Sequence, residues 1–126
     1  MAKSVVRDSV PVLIVAKPGP LRDGVQALVG AMPQVGTIRK INDLSSTSLA
    51  AIEGYPELVL LNCGMGCGLI GAMVAQVKAR WPRARCLTLV GSVEQQREAE
   101  SSGADAVVLN GLPARKLLKT IAGVLS

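Results

Sequence analysis

The chain has no histidine and no phenylalanine, and only one tryptophan and one tyrosine among its 126 residues. With aromatic side chains so scarce, an interior must be built from Val, Leu, Ile, Ala and Met. That composition suits parallel strands covered by helices on both faces. The same scarcity leaves no aromatic platform for stacking nucleic-acid bases. No apolar run reaches the length of about 20 residues that a membrane span needs. Basic residues between Met1 and Asp8 precede only a short apolar run with no small-residue cleavage site, so the run reads as a first strand and not as a signal peptide. Three cysteines are present. Cys63 and Cys67 lie four apart, and Cys86 sits in an apolar run. Without histidine a zinc site would need carboxylates, and none is near the cysteine pair. The cysteines therefore read as reduced thiols of a cytoplasmic protein, with Cys86 packed inside as a small apolar residue. No cofactor and no metal are expected.

What is present fits one domain with one core, with residues 1–9 as a tail and 10–126 as the folded unit. Nearly half of the residues are apolar, and the net charge is +5. The densest basic cluster is Lys78, Arg80, Arg83 and Arg85, at a helix end and its loop, where cations serve as ordinary partners of the helix dipole. No helix-turn-helix or RNA-binding signature accompanies the charge, so no direct nucleic-acid contact is expected from this domain.

Five short apolar runs, at residues 10–16, 35–41, 57–62, 85–91 and 105–110, are each followed by a helical pattern. They are rich in Val, Leu and Ile without strict alternation, as expected of strands buried on both faces. Leu21, Val25, Leu28 and Val29 share one helical face. So do Ile70, Met73, Val74 and Val77, and again Leu117, Leu118, Ile121, Val124 and Leu125. The second and fourth helices, near 45–52 and 93–101, are polar and short. Pro18-Gly19-Pro20, Trp81-Pro82 and Ser102-Gly103 supply turns between elements, and Pro113 can open the last helix. Alternating strands and helices imply right-handed crossovers and a parallel sheet. Five strands in this length fit a three-layer α/β sandwich of strand order 2-1-3-4-5, with any site at the carboxyl ends of the strands.

Several phrases then occur in order along residues 12–125. Leu13-Ile14-Val15 leads to Leu21-Arg22-Asp23-Gly24-Val25. Tyr55-Pro56-Glu57-Leu58-Val59-Leu60-Leu61 leads into the third strand. Lys78-Ala79-Arg80-Trp81-Pro82 and Gly103-Ala104-Asp105-Ala106 follow. Together they resemble the receiver domain of bacterial two-component response regulators, nearest the subclass that usually carries a C-terminal helix-turn-helix. The resemblance implies the flavodoxin-like receiver fold. It also implies a phosphoryl-transfer pocket: an acidic pair after the first strand for Mg²⁺, an acceptor aspartate ending the third, a Ser or Thr ending the fourth, a Lys ending the fifth, and a switch aromatic in the fifth.

This chain departs at every one of those places. The acidic pair falls on Ala16 and Lys17, the acceptor on Asn62, the Ser/Thr on Val90, the Lys on Asn110 and the aromatic on Val107. The loop after the third strand, usually Met-Pro-Gly, reads Met65-Gly66-Cys67. An amide such as Asn62 is a poor nucleophile and cannot form the acyl phosphate that a carboxylate forms. Mg²⁺ prefers hard oxygen ligands, usually including carboxylates. The family's three carboxylates and one ammonium give way to a single ammonium, which reverses the sign of the pocket. The stabilisation of a transferring phosphoryl group is thereby lost.

These features lead to the expectation of a degenerate, pseudo-receiver form. It would be a phosphorylation-independent regulatory module in signal transduction or transcriptional regulation, non-enzymatic, acting through a protein partner or a homodimer. Two alternatives stand beside it: a small-anion or metabolite sensor in the altered pocket, with Lys17 as the cation, and the receiver half of a longer DNA-binding regulator. The glycines at 64, 66 and 68 do not fit a dinucleotide-binding spacing. For a protein interface, the fourth helix offers Glu94, Arg97 and Glu98 and the fifth Arg115, Lys116 and Lys119. Opposite charges on neighbouring helices can meet across a two-fold axis.

Overall fold

The computed structural model describes residues 10–52, 54–62, 69–111 and 113–125. Strands and helices alternate among them: β1 (Val10–Val15), α1 (Pro20–Gly30), β2 (Val35–Ile41), α2 (Ser46–Ala50), β3 (Leu58–Asn62), α3 (Ile70–Arg80), β4 (Arg85–Val90), α4 (Val93–Ser101), β5 (Ala106–Leu109) and α5 (Ala114–Leu125). All pairings are parallel and the order is β2-β1-β3-β4-β5. This is the order that the strand and helix pattern implied, and the flavodoxin-like receiver fold that the resemblance implied.

The sheet separates two apolar cores, because side chains on a strand alternate between its faces. On one side Leu13, Val15, Val59, Leu61 and Cys86 pack with Val74, Val77 and Trp81. On the other Val12, Ile14, Leu58, Leu60 and Leu87 pack with Val25, Val29, Leu117 and Ile121. Each fully buried Leu, Ile or Val contributes roughly 1.5–3 kcal/mol. The turns match their chemistry. Pro20 occupies the first turn of α1, where its missing N–H costs little. Gly103, just past α4, has φ +106, a left-handed conformation that favours glycine.

Three expectations are corrected. β2 is not buried on both faces: it is an edge strand, with Gly36, Thr37, Arg39 and Lys40 exposed. Its polar residues had already broken the apolar run. α2 spans only Ser46–Ala50, shorter than 45–52, because its Ser- and Thr-rich sequence has one buried anchor, Leu49. Leu21 does not join Val25 and Val29 inside but is 49% exposed in the first turn of α1.

Candidate functional site at the carboxyl edge of the sheet

The strand register fixes which residues meet at this edge. Val15 lies level with Ile41 and Leu61, Asn62 with Leu89, and Val90 with Leu109. The Ala16 N–H donates to the Ile41 carbonyl at 3.0 Å, and the Asn110 N–H to the Val90 carbonyl at 2.8 Å, extending the ladder by one step. Ala16, Asn62, Val90 and Asn110 therefore end four neighbouring strands at nearly one level, and Lys17 follows directly. Ala16 and Val90 are buried, whereas Lys17 and Asn110 are exposed. Val107 lies level with Thr88 in β5 and packs against the core beneath α3 and α4.

Asn62 is half-buried, and its Oδ1 is sealed from solvent with no hydrogen-bond partner among the described residues. A buried acceptor without a donor costs about 1–3 kcal/mol. Such a group is conspicuous at the position where the resemblance puts a nucleophile.

Arg22 belongs to this edge, and its role was missed in the sequence. One guanidinium nitrogen, Nη1, donates to the Ala16 carbonyl at 3.2 Å and to Asn42 Oδ1 at 2.7 Å. Its Nε is buried with no partner among the described residues. One signal could have found it. A cation in the first turn of a helix opposes the helix dipole, so an arginine there needs another reason for its place.

The nearby carboxylate, Asp43, lies just past β2 and is already committed. Its Oδ1 accepts from the Ser45 N–H at 3.0 Å and from the Ser48 hydroxyl at 2.9 Å. The Ser45 and Ser48 bonds hold its carboxyl below the usual range. Among the described residues no cluster of three or more Cys, Asp or Glu could hold a metal ion. The Mg²⁺ implied by the resemblance does not fit Ala16, Lys17 and Asn62, which offer one neutral oxygen and one cation in place of carboxylates.

The basic cluster is partly structural. The Lys78 ammonium pairs with Asp105 at 3.0 Å and donates to the Ala84 carbonyl at 3.1 Å. The Arg80 guanidinium lies 5.6 Å from the centre of the Trp81 ring, within cation–π range. Cys86 is a buried free thiol. Burial pushes its pKa up, and the Asp105 charge adds to that, while Thr88 acts the other way. Cys63, Cys67 and the glycines at 64, 66 and 68 lie outside the described residues, as do residues 1–9.

On the proposed interface, Glu94, Arg97, Arg115, Lys116 and Lys119 are exposed. Glu98 is not free: its Oε2 accepts from the Gly71 N–H at 2.9 Å, tying α4 to the first turn of α3. Among the described residues no helix is long and apolar enough to cross a membrane.

No protein-family model matches the chain, and no curated protein matches it in sequence. Solved structures do. NtrX from Brucella abortus superposes with a TM-score of 0.77 at 22% identity, over 93% of this chain and 27% of NtrX. The N-terminal signal receiver domain of a two-component response regulator from Bacteroides fragilis gives 0.74 at 19% identity, over 94% of this chain and 98% of that one. A LuxR family DNA-binding response regulator from Silicibacter pomeroyi gives 0.75 at 20%, over 92% of this chain and 91% of that one. The fold is that of response-regulator receiver domains.

Proposed function

We propose that the chain is a pseudo-receiver: a regulatory module of signal transduction or transcriptional regulation that works by docking protein and not by accepting a phosphoryl group. The observation that carries this reading is the receiver fold with Asn62, an amide, where a nucleophilic carboxylate would stand. Around it the edge offers Lys17 and Arg22 in place of metal-binding carboxylates. An amide oxygen is too weak a nucleophile for acyl-phosphate chemistry. The half-buried Arg22, bonded to the Ala16 carbonyl and to Asn42, adds a fixed positive charge at the end of β1, which disfavours a cation there. Output then depends on surfaces, and the exposed charges of α4 and α5 are the ones we assign to partner docking or self-association. Exposed rim pairs of this kind set orientation more than affinity, at roughly 0–1 kcal/mol each.

The likeness to a DNA-binding response regulator favours one second reading, in which this domain serves a longer transcriptional regulator. The natural reading frame decides between them.

The test is intact-mass spectrometry after acetyl phosphate and Mg²⁺, with sedimentation equilibrium on the same samples at low and high salt. The expected result is no phosphoryl adduct and an association state that phosphodonor leaves unchanged and salt weakens. A covalent adduct cleaved by alkaline hydroxylamine would overturn the phosphorylation-independent reading. A strict monomer at both salts would remove self-association through α4 and α5.

A further inference from the structure

The uncovered flank of the sheet holds a cavity that the signalling reading does not use. β2 is an edge strand, and the five-residue α2 is too short to cover its length. The register sets Arg39 beside Leu13, and Thr37, two residues earlier, shares its face. Ile52, Gly54, Tyr55 and Pro56 line the opposite side. Between the two sides is an open cavity of about 260 Å³.

Its chemistry is specific. Leu13, Pro56 and Ile52 give an apolar surface, with Leu13 and Pro56 themselves buried. The Tyr55 ring is fixed in place because its hydroxyl accepts from the Arg83 N–H at 2.8 Å. Arg39 lines the cavity, is exposed, and makes no hydrogen bond or ion pair among the described residues. Thr37 adds a hydroxyl on the same side.

We infer that this cavity binds a small monocarboxylate with a compact apolar or aromatic body. The carboxylate pairs with the planar guanidinium of Arg39, which matches it two bonds to two. Thr37 supplies a further donor. The body rests on Leu13, Ile52 and Pro56, against the Tyr55 ring. Arg39 is the one cation among the described lining residues, which disfavours a dianion such as phosphate, whose second charge would lack a partner. A neutral hydrocarbon is disfavoured for the opposite reason, since it would strip water from Arg39 and return nothing. The volume is at the small end for ligand pockets, so the ligand has on the order of ten non-hydrogen atoms. Nothing in this inference depends on Asn62 or on the α4–α5 surface.

The experiment is a two-dimensional ¹H–¹⁵N NMR titration with sodium phenylacetate and, separately, sodium 4-methylpentanoate, with phenylacetamide as the uncharged control. At least one acid should give saturable shifts with Kd of about 1 mM or tighter. The shifts should centre on Leu13, Thr37, Arg39, Ile52 and Tyr55. Phenylacetamide should bind about ten-fold more weakly or worse. Arg39→Gln should lose about ten-fold in affinity while leaving the rest of the spectrum unchanged, because Arg39 holds no other group in place. The inference is overturned if neither acid saturates by about 20 mM. It is also overturned if Arg39→Gln binds as well as the parent, or if the shifts centre on other residues.

Discussion

The two edges of this sheet are built differently. At the β5 edge a single carboxylate joins three elements. Asp105 Oδ2 accepts from the Lys78 ammonium of α3 at 3.0 Å and from the Cys86 N–H of β4 at 2.7 Å, just before β5 begins. Glu98 adds a bond from α4 to α3. At the β2 edge the helix is one short turn, held by local Ser and Asp bonds and by one reach from Gln76 to the Leu44 carbonyl at 2.9 Å. Both edges keep a cavity, about 260 Å³ beside β2 and about 220 Å³ between β5, α1 and α5, but only the β5 edge is tied to its neighbours by a shared charge. Helix length and a few charged bonds, not apolar content alone, decide how firmly each margin of a parallel sheet is tied to its neighbours.

The largest test of that contrast is Asp105→Ala. It leaves the Cys86 N–H and the Lys78 ammonium without their acceptor, and should destabilise by about 2 kcal/mol in urea unfolding. A loss below about 0.5 kcal/mol, the size of a surface substitution, would break the idea of a clamped edge. Next is Gly71→Ala. A Cβ there would meet Ser102 Oγ at 2.6 Å and Glu98 Oε2 at 3.0 Å. Both are side-chain ends that can move, but moving Glu98 breaks its bond to the Gly71 N–H. A charge-assisted bond is worth about 1.5–3 kcal/mol, against a gain of up to about 1 kcal/mol for alanine over glycine in a helix. The net expectation is a loss of about 1 kcal/mol, turning neutral or favourable in a Glu98→Ala background. A double-mutant cycle by urea unfolding shows whether the two changes are coupled in that way.

The smallest effect belongs to the other edge. Ser45 caps α2 by accepting from the Ser48 N–H at 3.2 Å, and Ser45→Ala should cost about 0.5 kcal/mol. It should also raise the Asp43 pKa, because the Ser45 side chain is the first cause of its depression. A carboxylate held low in the fold adds stability that is present above its unfolded value, near pH 4, and is lost as pH falls through the folded value. The variant should therefore show a slightly shallower acid limb, read as stability against pH from 5 to about 2.

Much of the framework was legible in the sequence. The central strands are near-continuous Val and Leu, and Leu58-Val59-Leu60-Leu61 is buried throughout, so their place in the sheet followed from composition. The edge strand was not legible in the same way. Apolar residues at 35, 38 and 41 anchor it, but its exposure depends on how little of α2 folds over it, which is a tertiary outcome. At the candidate site, the register brings Ala16, Asn62, Val90 and Asn110 to one level as expected, because strand ends are set by the same pairing that builds the sheet. Arg22 was hidden because its partners are a backbone carbonyl and an amide twenty residues away, which leave no charge pattern to read. Glu98 looked like a surface charge for the same reason: its partner is a backbone N–H on another helix.

The single tryptophan carries a practical consequence. Trp81 is buried among the residues on the α3 side of the sheet, with the Arg80 guanidinium over its ring. The core on the α1 and α5 side has no aromatic residue among its members. Tryptophan fluorescence, excited selectively, therefore reports on one side of the molecule and is blind to the other. A change along α3 and α4 falls within its view. A partner that loosens α1 or α5 alone leaves the emission unchanged. Agreement between fluorescence and circular dichroism would then mean that both cores melt together, and a mismatch would show which side gives way first.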